Sequence, residues 1–332
     1  MTVRRDVVVH RGWEVVRLCT PDLSVDVVPG KGGDITSVRW RPDDVELMWQ
    51  SPWGLRHRGA PFIPGDSEAT LMDWYPGGWQ TVFPNAGPAV EEHGVTWGMH
   101  GEAWLAPYDW EPTADDEVLL RTRLVRSPFE IERRIRVRDA ALTVTETVRN
   151  VGGTPVEVAW GHHIAFGQPF LDGDCRLEVP TPNPPTFVVD DERDRPASDL
   201  PPGATFPWPK ARDRSGVDVD LRVVPGPDRP VDRLGYLVGL TAGRVELTNQ
   251  RRRLRARLDW DVTVMPYTWL WYEMHATETF PWYRAVYVLG IEPHSSYPGQ
   301  GLHAIREKTG TQLRFEPGEE RTATTTLTVT RV

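Results

Sequence analysis

The chain has 332 residues, 39% hydrophobic and 26% charged, a balance that suits a folded globular protein and excludes a disordered one. A formal net charge of -9 and a pI near 5.5 exclude a strongly basic nucleic-acid-binding protein. No apolar run approaches the roughly 18 residues of a membrane span, and the two cysteines, Cys19 and Cys175, suggest neither a disulfide framework nor a thiolate metal cluster.

The first residues, MTVRRDVVVHRGWEVV, lack the apolar core of a signal peptide, so a cytoplasmic protein is expected. Strand patterns then follow in order. LSVDVV (23–28) and ITSVRW (35–40) alternate apolar and polar residues, with the glycine-rich PGKGGD (29–34) between them as a turn. Residues 50–103 are rich in Gly, Pro and Trp and read as a long loop of the kind that often carries function.

FEIERRIRV (129–137), ALTVTETV (141–148) and PVEVAW (155–160) resume the alternation. Residues 180–210 crowd Pro and charges and read as a second excursion. RLRARLDW (253–260), inside the basic run 251–257, puts Leu254, Ala256 and Leu258 on one face and arginines on the solvent face. TATTTLTV (322–329) closes the series. No long stretch has a helical period, so the expectation is all-β, a large antiparallel β-sandwich forming a single domain over residues 1–332.

Several residues stand out against this scaffold. WGHHIAFG (160–167) places His162 and His163 side by side in a strand, where successive side chains face opposite ways, so both enter one pocket only through a bulge. WGMHGEAW (97–104) sets His100 before a glycine, and VYVLGIEPH (286–294) ends an apolar strand on Glu292, where a rigid scaffold can present a general base. The 15 tryptophans, many in loop-like sequence, anchor the core or offer platforms for the apolar faces of a sugar ring.

In that order, HG at 100–101, HHIAFG around 163 and the strand into EPH at 292–294 resemble the aldose 1-epimerase family, the galactose mutarotases and related sugar epimerases. VVPGKGGDITSVRW and GGWQTVFPNAG are similar to that family's opening strand and to the segment before its HG motif. The resemblance implies a galactose mutarotase-like supersandwich and a cofactor-independent enzyme without a metal. It also implies a small-molecule sugar as partner, neither nucleic acid nor membrane, and a monomer or homodimer.

Phe166 falls three residues after His163, so the resemblance implies His163 as catalytic acid and Glu292 as base, with His100 binding near the ring oxygen. It further implies Asp232, Asn85, Trp104, His162 and His294 as substrate-binding residues, His162 in the position next to the catalytic acid. His294 stands where the family has Gln, and Trp104 where a phosphosugar branch has Arg. Arg56, beside His57 and Arg58, is the candidate contact for an anionic sugar, phosphorylated or sulfonated.

Exchanging anomers requires removing the C1 hydroxyl proton, protonating the ring oxygen, rotating about C1–C2 and closing again. A carboxylate and an imidazolium suffice. Attraction between Glu292 and His163 favours that ionised pair and burial opposes it, with a near-neutral optimum expected. Competing readings are a non-catalytic sugar-binding protein on the same fold, a related hydrolase or lyase, and a metal isomerase using His100, His163 and Glu292 or His294.

Overall fold

The computed structural model describes residues 3–191 and 197–332. Alternation governs much of it. In Phe129–Arg138, residues Phe129, Ile131, Arg133, Ile135 and Val137 are buried, alternating with more exposed charged residues; Ala141–Asn150, Leu254–Trp260 and Glu320–Arg331 repeat the pattern. Each strand therefore turns one face inward.

These four belong to an eight-stranded antiparallel sheet. Its order is Cys175–Glu178, Gly243–Asn249, Leu254–Trp260, Glu320–Arg331, Ala141–Asn150, Phe129–Arg138, Glu117–Arg123 and Asp109–Ala114. Threonines pair across its outer face, Thr143 with Thr326 at 3.2 Å and Thr145 with Thr324 at 3.0 Å.

The facing antiparallel sheet runs Arg4–His10, Trp13–Cys19, Leu23–Val28, Asp34–Trp40, Trp79–Val82, Gly161–Gly167, Tyr287–His294, Tyr267–Met274, Val231–Val238, Thr186–Val189 and Thr205–Pro207. A twelfth strand, Val45–Glu46, pairs with Asp34–Trp40. Val25, Val38, Trp79 and Leu289 from this sheet meet Val144, Leu258 and Leu327 from the other in one buried cluster. The result is the expected sandwich.

Three details differ from the sequence reading. Residues 50–103 are not loop throughout: Asp66 caps a helix, Ser67–Trp74, by accepting the Ala69 N–H at 2.8 Å, and Trp79–Val82 is a central strand buried on both faces. The excursion at 180–210 contributes the last two strands of the sheet, Thr186–Val189 and, at the edge, Thr205–Pro207, while residues 192–196 lie outside the described residues. PVEVAWGHHIAF divides in two, Val156–Val158 pairing with Leu313–Phe315 before Gly161–Gly167 enters the large sheet.

The turn at PGKGGD is present, but Lys31 within it is buried and ion-paired with Asp34. In the basic run, Leu254, Ala256 and Leu258 point inward as expected, while Arg255 pairs with Glu246 at 3.2 Å and Arg257 with Asp259 at 2.7 Å. Among the described residues no helix is long and apolar enough to cross a membrane.

Candidate active site

Five neighbouring strands build the floor of a cavity of about 550 Å³ on the face of the twelve-stranded sheet that points away from the core. Same-face residues along each strand line it: Gln80 and Val82, then His163, then Glu292, then Trp269, Trp271 and Glu273, then Asp232 and Leu234. The Ser67–Trp74 helix, Tyr75, the loop with His100 and Trp104, and residues 277–282 form walls. A volume of this order suits a small ligand.

His163 and Glu292 sit together, His163 Nε2 lying 3.7 Å from Glu292 Oε1. On its other side the His163 Nδ1 is 3.3 Å from the Tyr75 hydroxyl, and its ring meets those of His100, Trp271 and Tyr75 edge-on at centroid distances of 5.7, 5.4 and 5.3 Å. Gly290 leaves room for the Glu292 carboxylate, since a Cβ there would fall 2.4 Å from Glu292 Oε1.

The HG motif has a steric cause. His100 has φ +59° and Gly101 φ +81°, and a Cβ on Gly101 would lie 2.1 Å from the Phe83 carbonyl oxygen. The turn is fixed where the His100 N–H donates to the Gly87 carbonyl at 2.9 Å and the His100 carbonyl accepts from Phe83 at 3.2 Å. The Gly87 N–H donates to His100 Nδ1 at 3.3 Å, so the neutral ring carries its proton on Nε2 and can donate to a ligand.

Burial controls the charges. It pushes the Glu292 carboxyl well above its ordinary range and, together with the nearby His100, brings His163 down to about 3; His100 itself falls to about 4 by burial. The ligand-free pair is thus neutral, one proton shared between acid and imidazole and resident on Glu292. Mutual attraction does not overcome desolvation as the ionised picture requires.

His162 takes the opposite face without a bulge, in continuous register with Trp79–Val82. Its Nδ1 accepts the Trp79 indole N–H at 2.9 Å, and its Nε2 lies 3.7 Å from Glu146 Oε2. Glu146 also pairs with Arg133 at 2.6 Å and accepts the Trp160 indole N–H at 3.0 Å. His162 therefore belongs to a buried polar network between the sheets and does not line the cavity. Sequence inspection missed that network, although Arg133 and Glu146 occupy inward phases of FEIERRIRV and ALTVTETV and are register partners.

Of the other expected residues, Asp232 and Trp104 line the cavity. Asn85 does not: its buried amide donates to the Pro88 and Gly98 carbonyls at 2.7 and 3.1 Å and accepts from the Leu302 N–H at 3.0 Å, bracing loops behind the HG turn. Arg56 is also outside the lining, ion-paired with Asp73 at 2.8 Å and stacked over Trp74. His294 is buried outside the lining, on the same face of its strand as Glu292, stacked on Trp269 and 3.7 Å from Glu292 Oε2. Gln80, Tyr75, Trp271 and Glu273 line the cavity without having been singled out in the sequence. Among the described residues no three of His, Cys, Asp or Glu are placed to hold a metal ion.

The profile of a family described as "Domain of unknown function (DUF4432)" matches residues 10–212. No curated protein sequence matches the chain. Solved structures share its fold. A galactose mutarotase-like protein from Clostridium acetobutylicum superposes with a TM-score of 0.69 at 14% identity, covering 100% of this chain and 99% of its own. A galactose mutarotase-like protein from Lactobacillus casei gives 0.67 at 17%, covering 95% and 100%. A candidate aldose 1-epimerase from Escherichia coli K12 gives 0.66 at 18%, covering 96% and 99%.

Proposed function

The chain belongs to the DUF4432 family, and we propose that on its galactose mutarotase-like fold it works as an aldose 1-epimerase, exchanging the α and β anomers of an uncharged sugar without a cofactor. The observation that carries this reading is the pair of His163 and Glu292, 3.7 Å apart at the floor of an aromatic-lined cavity.

Ring opening needs one group to take the C1 hydroxyl proton and another to give a proton to the ring oxygen. A pair holding a single proton supplies both. With a sugar bound, the C1 hydroxyl donating to Glu292 and the ring oxygen accepting from His163 favour the ionised distribution that burial disfavours in the empty site. Glu292 takes the hydroxyl proton as the C1–O5 bond breaks, and His163 delivers its proton to O5. After rotation about C1–C2 the reverse transfers close the ring and restore the pair. Each positioned group contributes on the order of 10²- to 10⁴-fold. His100 Nε2–H is available to a sugar oxygen, and Trp104, Trp269 and Trp271 in the lining give the ring's C–H bonds apolar aromatic surface to meet.

The substrate is read as uncharged because no Lys or Arg among the described residues lines the cavity and Arg56 is committed to Asp73. The test is polarimetry or proton NMR on freshly dissolved α-glucose, α-galactose and a panel of other aldoses, with wild type, Glu292→Gln and His163→Ala. Acceleration by wild type, lost in both variants, is expected. Binding of a sugar with no acceleration of any aldose would favour a non-catalytic carbohydrate-binding protein.

A further inference from the structure

We propose that His294 is a positioning residue for the general base, holding an Nε2–H ready to bond Glu292 whenever that carboxylate is ionised. The proposal rests on the acid–base reading above.

Two imidazoles bracket the Glu292 carboxylate. His163 Nε2 lies 3.7 Å from Oε1, and His294 Nε2 lies 3.7 Å from Oε2. The His294 ring is held in place. It stacks on Trp269 with 3.8 Å between centroids and 8° between planes, and Trp269 is itself anchored by its indole N–H donating to the Ser296 carbonyl at 2.9 Å. Gly161, its register partner across the strand pair, leaves space for it, since a Cβ there would fall 2.1 Å from His294 Nδ1.

Both ring nitrogens of His294 are buried and make no hydrogen bond. An unpaired buried imidazole costs stability, so its retention calls for a return in another state. At 3.7 Å no bond to neutral Glu292 is made, but closure by less than about 1 Å gives a charge-assisted one when the carboxylate forms. Other titratable groups around the pair are engaged. Tyr75 meets His163, His100 Nδ1 accepts from Gly87, and His162 pairs with Trp79 and Glu146 on the far face. Removing the His294 donor leaves burial unopposed at Oε2 and makes the base harder to ionise.

The experiment compares pH–rate profiles of wild type, His294→Phe, which keeps the stacked ring but has no donor, and His294→Gln, which keeps a donor. His294→Phe is expected to lower kcat and move the alkaline midpoint up by about one pH unit, with KM little changed because the ring is buried outside the cavity lining. His294→Gln is expected to stay near wild type. An unmoved midpoint in His294→Phe, or an equal shift in both variants, overturns the proposal. Should His294→Phe fail to fold, ¹⁵N NMR of wild type decides. A neutral His294 with its proton on Nε2 and a resonance that shifts in Glu292→Gln supports it; a proton on Nδ1 overturns it. If no aldose is accelerated, the acid–base reading falls, and the NMR result still decides the state of His294.

Discussion

The Nε2 atoms of His162 and His163 each lie 3.7 Å from a carboxylate oxygen, but the carboxylates, Glu146 and Glu292, are on opposite faces of one sheet. The same pairing of groups serves two purposes. Between the sheets, Glu146 is ringed by Arg133, Thr81, Trp160 and His162, which hold its carboxyl below the ordinary range; in the cavity, Glu292 has no such cation among the described residues, and burial pushes its carboxyl well above that range.

Substitutions of the two histidines should therefore separate stability from activity. His163→Ala is expected to lower anomer exchange by at least about 10²-fold with little change in denaturant midpoint. His162→Leu leaves the buried Trp79 N–H without its acceptor and takes one of several partners from Glu146, and should cost about 1–3 kcal/mol. Urea unfolding beside polarimetry checks both. Greater activity loss in folded His162→Leu than in His163→Ala would reverse the assignment.

The pH dependence of exchange follows from the proton count. On the proposed mechanism the working pair holds one proton, which is stripped as pH rises through the elevated value of Glu292 and joined by a second only as pH falls towards about 3 at His163. The rate should be flat across the mildly acidic range and fall about tenfold per unit on the alkaline side. Rates at saturating sugar between pH 4.5 and 10 test this. A rate that climbs through pH 6 to 7 would mean that the pair works with a different number of protons.

Half-buried strands such as Leu23–Val28 and Ala141–Asn150 were legible because one face meets the core and the other meets water. Trp79–Val82 was not, since burial on both faces erases the alternation and leaves a run that resembles its loop neighbours. In the site, alternation set His162 against His163, and motif spacing chose between them. Asn85 and Arg56 were misplaced because their segments have no period from which to read direction, and their partners, Leu302 and Asp73, are joined to them by tertiary contact alone. The burial of Lys31 left no trace in PGKGGD, for a glycine-rich turn looks the same whether its lysine faces Asp34 or solvent.

Glu292 and His163 should affect stability with opposite pH trends. The folded value of Glu292 is raised, so its contribution is present below the unfolded value near 4.5 and lost as pH rises through the folded one. Glu292→Gln removes that loss, and its Tm advantage over wild type should grow as pH increases. The folded value of His163 is lowered from 6.5 to about 3, so its contribution is present above 6.5 and lost as pH falls through that window. His163→Asn should gain on wild type as pH decreases from 6.5 to 4. Calorimetry of the three proteins at pH 4.5, 6.5 and 8 checks the two slopes, and parallel curves would contradict both.

A methyl group at position 290 tests how closely the base must be placed. The Cβ of Gly290→Ala would stand 2.4 Å from Glu292 Oε1 and 3.3 Å from the Trp271 Cβ. The carboxylate is the movable end of a flexible side chain, so it should swing aside while the strand holds. The fold then changes little, but Glu292 leaves its position opposite His163, and a displacement of about 1 Å at a reacting group costs on the order of 10²-fold in rate. Gly290→Ala should keep a Tm within a few degrees of wild type and lose most of its kcat. Retention of full kcat by the folded variant would show that the carboxylate is not required where the structure puts it.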